Sequence, residues 1–212
     1  MFLLSPAYCG GRRAGMLLRG GSTMLLAARL AEGTLSLGEA FAFMSGLYFR
    51  GKVAYVQAFG RRTDRGPAAL VITPTRGLQS PDVLVDRSVI EEFAALDVAH
   101  DEPRYRDPLV ADARKLADTL SADARVVLLG SVATAKYLDV LAGAFGTRLH
   151  FPSAFIGRGD MSRGGLMLRS ASAGEELEYV SLAATTTRRG PRPPKLPPLR
   201  DRRLSFPATD GV

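Results

Sequence analysis

The chain has 212 residues, 46% hydrophobic and 23% charged, which is enough to bury one substantial core and too short to favour two domains. No run of about 18 apolar residues occurs, so no membrane-spanning helix is expected, and a single cysteine rules out an internal disulfide framework. The net charge of +7 is unevenly spread: seven of the 28 basic residues lie between 188 and 203, leaving residues 1–187 nearly neutral with 21 basic and 19 acidic groups.

In chain order, a short apolar strand at 1–4 runs into Ser5-Pro6-Ala7-Tyr8-Cys9-Gly10-Gly11 and then a helix over 12–18. A strand, a glycine turn and a helix in succession aim backbone N–H groups at an anion. A helical region at 27–32 follows. Over 37–59 the residues Phe41, Met44, Tyr48, Phe49, Val53, Tyr55, Val56 and Phe59 recur at helical spacing. That spacing predicts one long helix or a bent pair, since Gly46 and Gly51 are unfavourable in a helix interior. A buried strand at 68–73 ends in Pro74-Thr75-Arg76-Gly77-Leu78, and a short helix covers 89–96. An amphipathic helix spans 108–120, with Leu109, Ala113, Leu116, Ala117 and Leu120 inward. The continuous apolar run at 125–129 predicts a strand covered on both faces. Gly130-Ser131-Val132-Ala133-Thr134 then opens a helix over 135–145, a strand covers 148–151, and 166–169 with 177–182 reads as a terminal hairpin.

Strands alternating with helices predict an α/β fold. The expected architecture is a single Rossmann-like domain over 1–187, with a mostly parallel central sheet, helices on both faces and a C-terminal β-hairpin. An extended proline- and arginine-rich tail over 188–212 follows it. Neither a basic leader nor a long apolar N-terminal core is present, so a cytoplasmic location is expected.

In such sheets ligands sit beyond the carboxyl ends of the strands. The four strand exits are 5–12, 73–77, 130–134 and 153–164, and their meeting would make one anion site. Arg12, Arg76, Arg158 and Arg163 supply donors suited to phosphate, and Gly10, Gly11, Gly130 and Gly157 allow close backbone approach. Thr73, Thr75, Ser131 and Thr134 add hydroxyl groups, and Tyr48 reaches the edge of the pocket. Asp160 is the carboxylate best placed to face a ligand, although an ion pair with Arg158 or Arg163 would account for it equally well. Cys9 lies near a predicted helix start, where a thiolate is favoured. With no histidine nearby in sequence, a small buried cysteine is the preferred alternative. Two histidines and one cysteine make a zinc site improbable, and no cofactor or metal is expected.

The stretches Ser45-Gly46-Leu47-Tyr48-Phe49-Arg50-Gly51-Lys52-Val53-Ala54-Tyr55 and Leu70-Val71-Ile72-Thr73-Pro74-Thr75-Arg76-Gly77-Leu78-Gln79-Ser80-Pro81-Asp82 resemble the YaaA-like group of bacterial and archaeal domains. That group carries Leu-Tyr-x-x-x-x-Phe on a helix, a strand ending Ser-Ala-Lys-Tyr-Gly-Leu and a nearby Pro-Asp. Its N-terminal strand ends in Cys-Ser-Lys, which aligns with Cys9. Gly10-Gly11, Thr75 and Arg76 depart from the pattern. The resemblance implies an α/β domain tied to nucleotide or nucleic-acid metabolism, with DNA binding and peroxide stress among the group's associations.

Taken together, these features predict a protein that handles a nucleotide or nucleoside, holding a phosphorylated, base-containing ligand and, if catalytic, acting in N-glycosidase or transferase fashion. The alternatives are a DNA- or RNA-binding stress-related module that uses residues 188–203, and a partner-docking protein that presents Pro193-Pro194-Lys195-Leu196-Pro197-Pro198. No membrane partner is expected.

Overall fold

A computed structural model describes residues 1–61, 66–96, 98–99, 101–133, 135–185 and 190–196. The first half contains β1 (Phe2–Leu4), α1 (Arg12–Leu17), α2 (Leu25–Ala31), β2 (Leu35–Ser36), α3 (Leu37–Ser45), α4 (Leu47–Phe59), β3 (Ala69–Ile72), β4 (Leu78–Gln79) and β5 (Leu84–Val85). The second contains α5 (Arg87–Ala94), α6 (Pro103–Thr119), β6 (Val126–Leu129), α7 (Ala135–Phe145), β7 (Leu149–Pro152), α8 (Asp160–Ala173) and β8 (Tyr179–Ser181).

The apolar strands pair as their composition demands. β3, β1, β6 and β7 lie side by side and parallel, with Leu3 opposite both Leu70 and Leu128. Short antiparallel strands close the two edges, β4 on β3 and β8 on β7, so the six-stranded sheet is mostly parallel. β2 and β5 form a separate antiparallel pair. Neighbouring residues of β1 enter different cores: Phe2 and Leu4 pack with residues of α1 to α5 and α8, whereas Leu3 packs with α6 and α7. Helices therefore cover both faces, which is why β1 and β6 are apolar at every position.

The 37–59 segment is a bent pair. Gly46 takes φ +60° between α3 and α4, a left-handed value that a residue with a Cβ adopts poorly. α3 starts with a capping box in which Ser36 Oγ accepts from the Glu39 N–H and Glu39 Oε2 accepts from the Ser36 N–H at 2.9 Å. Arg29 holds the same carboxylate. Ser36→Ala is expected to lower stability by about 1 kcal/mol, read as a shift of the urea midpoint without a change in slope.

The expected C-terminal hairpin does not form. Residues 166–169 belong to helix α8, and the strand after it, β8, pairs with β7 through Phe151 opposite Val180. Gly164 and Gly165, which suggest a loop when read locally, sit inside α8; α4 passes against Gly164, whereas Gly165 faces Arg169 and Leu196. A Cβ on Gly164 would lie 2.6 Å from the Leu47 carbonyl oxygen and 2.7 Å from Tyr48 Cα. Tertiary contact thus overrides the poor helix propensity of glycine. Gly174, at φ +70°, ends the helix in a left-handed cap. Helix α6 also begins earlier than expected, at Pro103, and accommodates Pro108 inside.

Candidate functional site

The chain passes from β1 to β3 on one side and later to β6 on the other side of β1. The carboxyl ends of β1 and β6 therefore border the point where strand order reverses, the place where open α/β sheets leave a crevice. Ser5 follows β1 directly, and Gly130 follows β6 directly. The Ser5 N–H donates to the Leu129 carbonyl at 3.3 Å, and a Cβ on Gly130 would fall 2.9 Å from Ser5 Cβ and 2.8 Å from Tyr137 Oη. Glycine at 130 is what lets the two exits close on each other.

Three helices bring side chains to this point. From α4, Lys52 is fully buried, and its Nζ donates to the Ser5 carbonyl at 2.8 Å and to Ser5 Oγ at 2.7 Å. The same nitrogen lies 4.0 Å from the centre of the Tyr48 ring and 5.1 Å from that of Phe49, a cation–π arrangement. From α7, the Tyr137 hydroxyl donates to the Ser131 carbonyl at 2.9 Å. From α8, the buried Arg163 donates to the Phe155 carbonyl and pairs with Asp160 at 3.2 Å, while the Asp160 carboxylate itself remains largely in solvent. The Tyr48 hydroxyl is buried beside Ser5 yet makes no hydrogen bond of normal length.

Burial lowers Lys52 from 10.5 to about 7, with Asp160 pulling the value back up and Arg163 pressing it further down. An amine that titrates near neutrality can accept or deliver a proton at physiological pH. Burial has the opposite effect on the neighbouring phenols, raising Tyr137 to about 12 and Tyr48 further still. Both stay protonated and able to donate.

Some of the expected site residues meet at this point. Tyr48, Gly130, Ser131, Asp160 and Arg163 belong to it, while Thr134 lies outside the described residues. The exit after β3 is turned to another task. Thr73 Oγ1 donates to the Gly77 carbonyl and accepts from the Arg76 N–H, both at 3.0 Å, so it closes a turn. Thr75 and Arg76 are both engaged with Glu92 of α5. Arg12 is exposed at the start of the short helix α1 and makes no hydrogen bond or ion pair among the described residues. Gly10 and Gly11 pack against the Tyr8 ring. Cys9 is buried with its Sγ 3.5 Å from the Ala7 carbonyl oxygen, and burial raises the thiol to about 12. At neutral pH it is therefore a packed thiol, because desolvation outweighs any pull of the helix end towards thiolate. Arg158 donates to the Ala154 carbonyl and to Ser162 Oγ, and Gly157 lies under the Pro191 carbonyl.

The residue that local reading passes over is Lys52; Ser5 opens the first strand exit and Tyr137 lies in the first turn of the helix after Gly130. Lys52 does leave a trace in the sequence. It falls on the stripe Tyr48, Lys52, Tyr55, Phe59, where every other member is aromatic, and a charge on an apolar helix face needs a partner inside.

Among the described residues no group of three or more His, Cys, Asp or Glu is arranged to hold a metal ion, and no helix is long and apolar enough to cross a membrane. Comparison with protein-family models, with curated proteins and with solved structures returned no match.

Proposed function

We propose that the protein binds a nucleotide or nucleoside in the crevice between the ends of β1 and β6, and that any chemistry there is cleavage or transfer at the base–sugar bond. The observation that carries this reading is the unsatisfied Tyr48 hydroxyl, buried at the switch point beside a lysine poised near neutrality. A buried hydroxyl without a partner is unfavourable in the free protein and gains one when a polar ligand enters. Arg163 suits a phosphate, and the tyrosine rings suit a base. In a hydrolytic cycle, water would add to the anomeric carbon as the bond to the base breaks. The Asp160 carboxylate would take the water proton or stabilise the cationic sugar, and Lys52 in its ammonium form would supply a proton to the departing base. The resemblance to YaaA-like domains implies the same area of metabolism and supports the choice of ligand.

The test is equilibrium binding of a nucleoside and nucleotide panel to wild type, Tyr48→Phe and Tyr105→Phe. Tyr105 carries a second unpartnered buried hydroxyl, but in the core on the other side of the sheet. Both substitutions are expected to raise unfolding stability, by roughly 1 kcal/mol, because each removes an unsatisfied polar group. Only Tyr48→Phe is expected to weaken binding, by about tenfold for one lost hydrogen bond. Failure of every member of the panel to bind more tightly than about 1 mM would end the proposal.

A further inference from the structure

Residues 190–196 lie across the N-terminal half of α8. A Cβ on Gly190 would come 2.9 Å from Ile156 Cγ2, and one on Gly165 would come 3.8 Å from Leu196 Cδ1, so the strap touches the domain at both ends. Between strap and helix is a cleft of about 430 Å³. It lies on a different side of α8 from Arg163, and none of the described residues that line it belongs to the Ser5–Lys52 cluster.

Among the described residues that line the cleft, Arg158 from the domain and Arg192 and Lys195 from the strap are cationic and none is a carboxylate; Arg169, which donates to the Gly165 carbonyl, also borders it. The one acid in the first turn of α8, Asp160, pairs instead with Arg163. Converging like charges repel, and an anion among them turns that repulsion into attraction. Arg158 is already oriented by neutral acceptors, the Ala154 carbonyl and Ser162 Oγ, which fix the guanidinium without neutralising it. The remaining wall is apolar, and Met161 is 65% exposed beside Leu196. The volume matches a small organic ligand and is far larger than a lone phosphate requires.

We infer that this cleft is a second binding site, for a phosphate monoester carrying an apolar or aromatic group, with the proline- and arginine-rich strap forming half of its wall. The phosphate takes the arginine forks and the lysine, and the organic part lies on Met161 and Leu196. The site stands apart from the nucleotide crevice and does not rest on it.

The experiment is calorimetric titration of the full chain with phenyl phosphate, inorganic phosphate and phenol, in wild type, Arg192→Ala/Lys195→Ala and Tyr48→Phe. Arg192 and Lys195 are exposed, so their loss leaves the fold intact, as far-UV circular dichroism will verify. Phenyl phosphate is expected to bind wild type, more weakly as salt rises. The double substitution is expected to weaken that binding by at least about tenfold, whereas Tyr48→Phe leaves it unchanged. Inorganic phosphate is expected to bind several-fold less tightly, and phenol not measurably. No phenyl phosphate binding, or binding indifferent to the double substitution, would overturn the site. Equal affinity for the two phosphates would overturn the organic part of the assignment. Loss of nucleotide binding in Tyr48→Phe with phenyl phosphate binding retained would show two independent sites, so either proposal can fail alone.

Discussion

Valine at position 164 is expected to unfold the protein or leave it barely folded at room temperature. α4 and α8 cross with their backbones in contact. A Cβ on Gly51 would lie 2.6 Å from the Gly164 carbonyl oxygen, and one on Gly164 would meet the backbone of Leu47 and Tyr48 as closely. The obstacle on each side is main chain, which cannot swing away as a side-chain tip can. Gly164→Ala is therefore expected to cost about 3 kcal/mol, the upper end of ordinary overpacking, and valine considerably more. Against a typical total of about 5–15 kcal/mol, valine removes most of the margin. Gly143→Ala in α7 is the control: nothing lies within 4 Å of its Cβ position, and the change is expected to add roughly 0.5–1 kcal/mol through helix propensity alone. Urea denaturation followed by far-UV circular dichroism measures both. A Gly164→Ala protein as stable as wild type would show that the helices do not cross as described.

Lys52 makes stability depend on pH in an unusual direction. Its folded value is about 7, against 10.5 for an ordinary lysine. Between those values the unfolded chain holds a proton that the folded chain has released, so stability rises with pH by up to about 1.4 kcal/mol per unit. Below about pH 7 both states are protonated, and the cost of burying the ammonium, on the order of 5 kcal/mol, is felt in full. Cys9 acts in the opposite sense. Its thiol is raised from 9.0 to about 12, so above pH 9 the unfolded chain loses its proton first and stability falls. The buried tyrosines add to that fall at higher pH. Wild type is expected to gain stability from pH 7 to a maximum near pH 9. Lys52→Met keeps most of the side chain's length and lacks the titrating amine, so its profile is expected to lose most of that rise, keeping only the part below pH 8 that comes from the Met1 amine, lowered by burial from 8.0. It also leaves Ser5 without its donor and is expected to abolish ligand binding in the crevice. A wild-type urea midpoint that does not move between pH 7 and pH 9 would contradict a lysine titrating in the core.

The elements that can be read from the sequence are those whose local pattern and tertiary role agree. Val126–Leu129 is apolar at every position because it is covered on both faces, and Gly46 breaks a helical stripe where the chain does turn. α8 could not be read locally, because Gly164 and Gly165 suggest a loop to anything that sees only neighbours along the chain. For Gly164 the reason lies in α4, more than a hundred residues earlier. The same holds for the site. Asp160, Arg163 and Gly130 stand out as loop chemistry, whereas Lys52 shows in the sequence only as a charge on an aromatic helix stripe, and its partner, Ser5 at 2.7 Å, comes from the fold. Arg76 and Thr75 mislead for the converse reason: their donors belong to Glu92, a partner that strand-end logic does not reveal.

The borders of the main sheet also bear on self-association. β4 offers two residues and β8 three, each running against the direction of the strand it flanks. A border that short presents few unpaired amide and carbonyl groups, so an incoming polypeptide finds little template on which to extend the ladder, and fibrous growth from the folded state is disfavoured.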